Sequence, residues 1–145
     1  MTVYNSNKVG ATPKYLDDAS GVNTIATYTF PTTGTLPTLQ TGDTFVMMPV
    51  PAGMSMMDCE LDIDKLDGLG TSLIVSVGDA LVPARFITGA TTGRTGGYVG
   101  PNVNGWTGFQ YSATTPLIVT VTAGAGGAVP AGAGLRLFVS YTADP

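Results

Sequence analysis

The residues able to do chemistry gather in one stretch. It reads Met57-Asp58-Cys59-Glu60-Leu61-Asp62-Ile63-Asp64, then Lys65-Leu66-Asp67-Gly68-Leu69-Gly70, then Thr71-Ser72-Leu73-Ile74-Val75-Ser76-Val77. Side chains on a strand alternate between faces. Asp58, Glu60, Asp62 and Asp64 therefore share one face, and Met57, Cys59, Leu61 and Ile63 share the other. Leu73, Val75 and Val77 continue the apolar face on a return strand, which predicts an antiparallel pair. A helix would scatter the carboxylates round its circumference. Two carboxylates at suitable separation can hydrolyse a glycoside, but acids at i and i+2 on one strand imply no cleft. Asp62-Ile63-Asp64-Lys65-Leu66-Asp67-Gly68 partly echoes a calcium loop. There, however, the third acid is displaced by one residue and the twelfth position is Leu73 rather than Glu. A third use is a face that complements a basic partner. The alternative to all of them is a solvated face whose charges block edge pairing.

Other chemistry is constrained more sharply. The chain has no histidine, which excludes Ser-His-Asp and Cys-His arrangements and the commonest general base. Cys59 is the single cysteine, so no intrachain disulfide forms. It sits on the apolar face with no cation near it in sequence, as expected of a small buried hydrophobe rather than a thiolate nucleophile. No thiolate or imidazole set exists for zinc. Gly68-Leu69-Gly70 and Gly124-Ala125-Gly126-Gly127 lack the spacing, the Lys and the following helix of a phosphate loop. Trp106, Tyr98 and Tyr111 suit a sugar-stacking platform, an interface anchor, or rings that pin a long loop to the fold. No catalytic residue, metal or cofactor is expected.

Composition narrows the class. The 145 residues are 43% apolar and only 11% charged, with a net charge of −4 and pI near 4.3. An ordinary soluble domain carries roughly 25% charged residues. Thr, Ser, Asn and Gly take that place here, which suits a surface largely covered by other protein. The absence of a basic cluster argues against direct nucleic-acid binding. No apolar run approaches the ~18 residues of a membrane span, and the N-terminus lacks the pattern of a secretory signal. Synthesis in a cytoplasm is expected.

The elements that must position these residues are strands. Met1 to Gly21 holds too few apolar residues for a fold and reads as an arm preceding a single domain over 22–145. Strands are expected at Val22–Phe30, Thr44–Val50, Met57–Asp64, Thr71–Val77, Leu81–Ile87, Phe109–Tyr111, Pro116–Thr122 and Leu135–Thr142. In the last, Leu135, Leu137, Val139 and Tyr141 point inward, opposite Arg136, Phe138, Ser140 and Thr142. Pro51-Ala52-Gly53 is a tight turn. Gly89 to Gly108 has no period and reads as a long structureless loop, functional or mobile, with Asn104-Gly105 as a type I′ turn. About eight strands without a helix indicate an all-β antiparallel sandwich or barrel.

The succession of Gly42-Asp43-Thr44-Phe45-Val46, Pro51-Ala52-Gly53, the acidic strand, Gly70-Thr71-Ser72-Leu73-Ile74-Val75-Ser76-Val77-Gly78-Asp79-Ala80 and Leu135-Arg136-Leu137-Phe138-Val139-Ser140-Tyr141-Thr142 resembles the head decoration, or cement, proteins of tailed bacteriophages. The resemblance spans roughly Asp43 to Thr142. It implies a jelly-roll-like sandwich on the exterior of the virion capsid, bridging major capsid protein subunits without catalysis. A dimer or trimer of the chain is expected, with many copies at symmetric sites. Tyr4, Tyr15, Asp58, Glu60, Asp62, Asp64, Tyr98 and Trp106 are the expected contact residues. The alternatives are a tail, fibre or head–tail joining subunit, a carbohydrate-binding module, and a carboxylate hydrolase.

Overall fold

Alternating apolar residues generate nine strands in the computed structural model, which describes residues 1–12 and 21–143. They are β1 (Val3–Asn5), β2 (Val22–Thr29), β3 (Thr44–Val50), β4 (Met54–Ile63), β5 (Ile74–Gly78), β6 (Ile87–Ala90), β7 (Gly97–Val99), β8 (Thr115–Ala123) and β9 (Gly134–Ala143). One sheet has the order β1-β3-β8-β5-β6 and the other β2-β9-β4-β7. Every pairing is antiparallel except β1 with β3. From β2 onward every connection except β5–β6 crosses between the sheets, and the eight strands β2–β9 have the order of a jelly roll. The expected all-β, jelly-roll-like sandwich is therefore the observed fold.

The core lies between the sheets. Phe45, Met47, Leu61, Ile63, Val75, Leu117, Val119, Leu135 and Leu137 are fully buried there, each worth roughly 1.5–3 kcal/mol on burial. Cys59 belongs to the same layer. Burial, joined by the nearby charges of Asp58 and Glu60, pushes its thiol well above the ordinary range. The native protein should leave a thiol reagent unconsumed, and one equivalent should react once urea unfolds it. Rapid native labelling would contradict this packing.

Several expected elements are corrected. β4 and β5 are not a hairpin: β4 pairs with β7 and β9, whereas β5 pairs with β6 and β8. Both strands turn an apolar face inward, a pattern equally satisfied by neighbours in one sheet or by strands in facing sheets. Met57 leaves the apolar face, because the register of β4 against β9 shifts between Met56 and Asp58. It is 47% exposed, and Met56 lies inside instead. Such a bulge sets two residues against one. The strand expected at Leu81–Ile87 begins only at Ile87; Leu81 is 89% exposed on a turn. Gly89–Gly108 is not structureless, since it holds the end of β6, a short 3-10 turn at Thr92–Arg94 and β7. Asn104-Gly105 is not a type I′ turn: Gly105 has φ 81°, but no described residue other than glycine has positive φ, and that turn needs it at both positions. Around Phe109–Tyr111 there is one bridge, Ser55 to Gln110, rather than a strand.

The start of the expected arm is ordered. Val3–Asn5 joins the edge of β3 in parallel, and the Asn7 N–H then donates to Thr27 O on β2. These residues thus link the neighbouring edges of the two sheets. Tyr15 lies outside the described residues.

Candidate binding surface

The outward residues of β2, β9, β4 and β7 make one continuous face. Register sets them in rows: Asn23, Ser140 and Asp58; Ile25, Phe138 and Glu60; Thr27, Arg136, Asp62 and Tyr98. Cross-strand neighbours at such positions lie close enough to interact. The four carboxylates of β4 do share the outer face, and all are partly exposed.

Their environments divide them. Arg136 Nε donates to Asp62 Oδ2 at 2.8 Å, and its Nη2 to Asp64 Oδ1 at 3.4 Å. Asp64 also accepts the Gly134 N–H at 2.9 Å. The guanidinium and both carboxylates are more than a third exposed, so this pairing adds little stability. Asp58 accepts the Cys59 N–H at 2.8 Å. Glu60 accepts a hydrogen bond from the Tyr98 hydroxyl and thereby pushes that phenol up to about 12. Among the described residues neither Asp58 nor Glu60 has an ion-pair partner. Between β2 and β4 the face dips into an open groove of about 270 Å³ lined by Asn23, Ile25, Asp58, Glu60, Phe138 and Ser140. It can hold a side chain that is apolar along its length and cationic at its tip.

No group of His, Cys, Asp and Glu among the described residues is placed to hold a metal ion. The partial calcium loop is dispersed: Asp62 and Asp64 turn to Arg136, and Asp67 turns inward. Asp67 is fully buried. Its Oδ1 accepts the N–H groups of Leu69, Gly126 and Gly127, and its Oδ2 those of Thr71, Ser72 and Leu73. Burial alone would raise its carboxyl, but the backbone donors, led by Ser72 and Gly126, hold it well below the usual carboxylate range. The Gly-rich loop is thus a cradle for the protein's own carboxylate.

Asp79 plays the corresponding part at the other end of the sandwich. It accepts from the N–H groups of Leu81 and Val82, from Arg85 Nε, and from the Tyr111 hydroxyl at 3.0 Å. Burial pushes its carboxyl up; Arg85 and the other donors outweigh that and lower it. The Arg85 guanidinium also lies over the Phe109 ring, 4.1 Å from its centroid. Spacing marked Asp67 only as the displaced third acid of a partial calcium loop and did not mark Asp79, although an acid just before Gly68, or just after Gly78, marks a turn that a side chain can organise.

Of the three uses open to Trp106, Tyr98 and Tyr111, a shared stacking platform does not form, and Trp106 and Tyr111 instead pack inward as rings that pin the loop to the fold. Trp106 is only 8% exposed and meets Phe86 edge-on at 5.5 Å, and Tyr111 is buried against Asp79 and Phe109. Tyr98 alone of the three is open, 56% exposed on β7. Tyr4 is partly buried, stacked on Phe45 at 4.8 Å with Tyr28 and Phe30 both at 5.4 Å. Sequence reading missed Ile25 as part of the surface; its place opposite Ala26 in the alternation of β2 was the available signal.

No protein-family model matches the sequence, and no curated protein does. Two solved structures share the fold over nearly the whole chain. One is the capsid of Ralstonia phage GP4, with a TM-score of 0.81, 20% identity, and coverage of 99% of both chains. The other is the capsid asymmetric unit of cyanophage Pam1, with a TM-score of 0.67, 21% identity and 92% of both chains. At these identities the similarity is one of fold.

Proposed function

We propose that this chain is a structural protein of a tailed-phage capsid, seated on the capsid exterior and bridging major capsid protein subunits. The observation that carries the reading is the fold shared over 99% and 92% of the chain with chains of two phage capsid structures. The molecule's own chemistry agrees with a binding role. Its buried carboxylates are consumed by loop architecture, and its open carboxylates lie on a sheet face beside exposed Ile25, Met57 and Tyr98. Apolar side chains rimmed by polar ones are the make-up of a protein contact. Many copies on a symmetric lattice turn modest individual contacts into stable decoration.

Co-sedimentation of the purified chain with undecorated capsids tests this. Saturable binding with a fixed copy number per capsid is expected, with light scattering of the free chain giving the unit that binds. A chain that stays in the supernatant at every concentration overturns the proposal.

A further inference from the structure

We infer that the groove over Ile25 and Phe138 receives an arginine side chain from a different, basic protein segment. The stem would lie on the two apolar residues and the guanidinium between Asp58 and Glu60. The groove is read from this chain alone; only the identification of the partner as a capsid protein rests on the function proposed above.

Ile25, Phe138 and Glu60 form one cross-strand row, so an apolar floor runs directly into a carboxylate. Asp58 flanks it, and Asn23 and Ser140 offer further polar groups in the neighbouring row. An amphipathic cation fits that gradient. Arginine fits it best, because its planar guanidinium pairs with carboxylates through a fork of donors and packs on an aromatic ring.

Charge selects the partner. Asp62 and Asp64 share Arg136, whereas Asp58 and Glu60 have no ion-pair partner among the described residues. The negative charge therefore concentrates at the groove. A second copy is a poor occupant: a two-fold contact through this face would set Asp58 and Glu60 near their own counterparts, in a chain already carrying −4. Nucleic acid has the wrong sign.

The test is a two-dimensional NMR titration of the full-length chain with a blocked tri-arginine peptide at low salt, with blocked tri-glutamate as control. Shifts are expected to converge on Asn23, Ile25, Glu60 and Phe138. Affinity should fall about tenfold or more in Asp58→Asn/Glu60→Gln, and also in Phe138→Thr, which tests the apolar floor. Shifts elsewhere, equal binding by the double variant, or a groove that closes on itself as the chain alone is concentrated would each overturn the inference. The same double variant added to capsids separates the two proposals. Undiminished capsid binding by the variant would sink the arginine seat as the capsid contact and leave the capsid role. Peptide binding without capsid binding by the wild type would sink the capsid role and leave the groove.

Discussion

Asp67→Asn is expected to lower the unfolding free energy by about 3–5 kcal/mol, the cost of disrupting a buried, fully bonded charge. Six backbone N–H groups donate to this carboxylate, at 2.9 to 3.2 Å. Asparagine keeps the shape but turns an NH2 group toward three of them, so donors face donors. The damage reaches two loops at once, because Gly126 and Gly127 are bound to the connection that carries the chain from β4 to β5. Space is tight there as well: a β-carbon on Gly68 would collide with the Ala128 carbonyl. A small domain has only about 5–15 kcal/mol in total, so the urea midpoint should fall steeply. A change under about 1 kcal/mol would show that the loops hold without the carboxylate.

The same group sets a pH dependence. Its carboxyl is depressed in the folded state, so its stabilisation is complete above the ordinary carboxylate range and is lost as pH falls toward the folded value. Asp79 is lowered too and acts with the same sign. Wild-type stability should decline progressively below about pH 4. In Asp67→Asn that decline should be shallower, since one of the two depressed groups no longer titrates. Equal acid slopes in the two proteins would refute the assignment.

Tyr4→Ala is expected to cost about 2–4 kcal/mol, combining lost burial with lost ring contacts. The Tyr4 ring stands against Tyr28, Phe30 and Phe45, and so ties β1 to both sheets. Its neighbours brace the same strand: Thr2 N–H donates to Asp43 Oδ1 at 2.6 Å, and the buried Ser6 hydroxyl donates to Met47 O. Deleting residues 1–6 should therefore cost more than the point substitution, because it also strips the partner from a buried carbonyl. Tyr4→Phe should remain near wild type. Had Tyr4 served only as a contact for another protein, Tyr4→Ala would keep its urea midpoint and lose capsid binding alone. Measuring both separates a structural ring from a docking one.

Much of this was legible in the chain. Period-two alternation assigned the inward and outward residues of β9 and of β4 from Cys59 on, because a strand's pleat sends neighbours to opposite faces whatever lies beside it. The lack of histidine and the lone inward cysteine likewise bound the chemistry before any coordinates. Alternation could not say which sheet a strand joins, since an inward face reads the same in either layer. Hence β4 and β5 looked like a hairpin, and the bulge at Met57 was invisible: it exists only in register with β9.

The sites divide in the same way. That Asp58, Glu60, Asp62 and Asp64 share a face followed from spacing within one strand. That Arg136 neutralises two of them, while Ile25 and Phe138 line up with a third, came from three strands distant in sequence and adjacent in the sheet. Asp67 is the plainest case. Four of its donors lie within six residues and belong to a turn that local sequence can suggest, but the other two lie 59 and 60 residues away, so its burial between two loops is not a local property. Local pattern determined which side chains face inward, because that depends on backbone geometry alone. Tertiary structure decided which carboxylates are spent holding loops and which remain open to a partner, because a charge's role depends on the donors that folding brings around it.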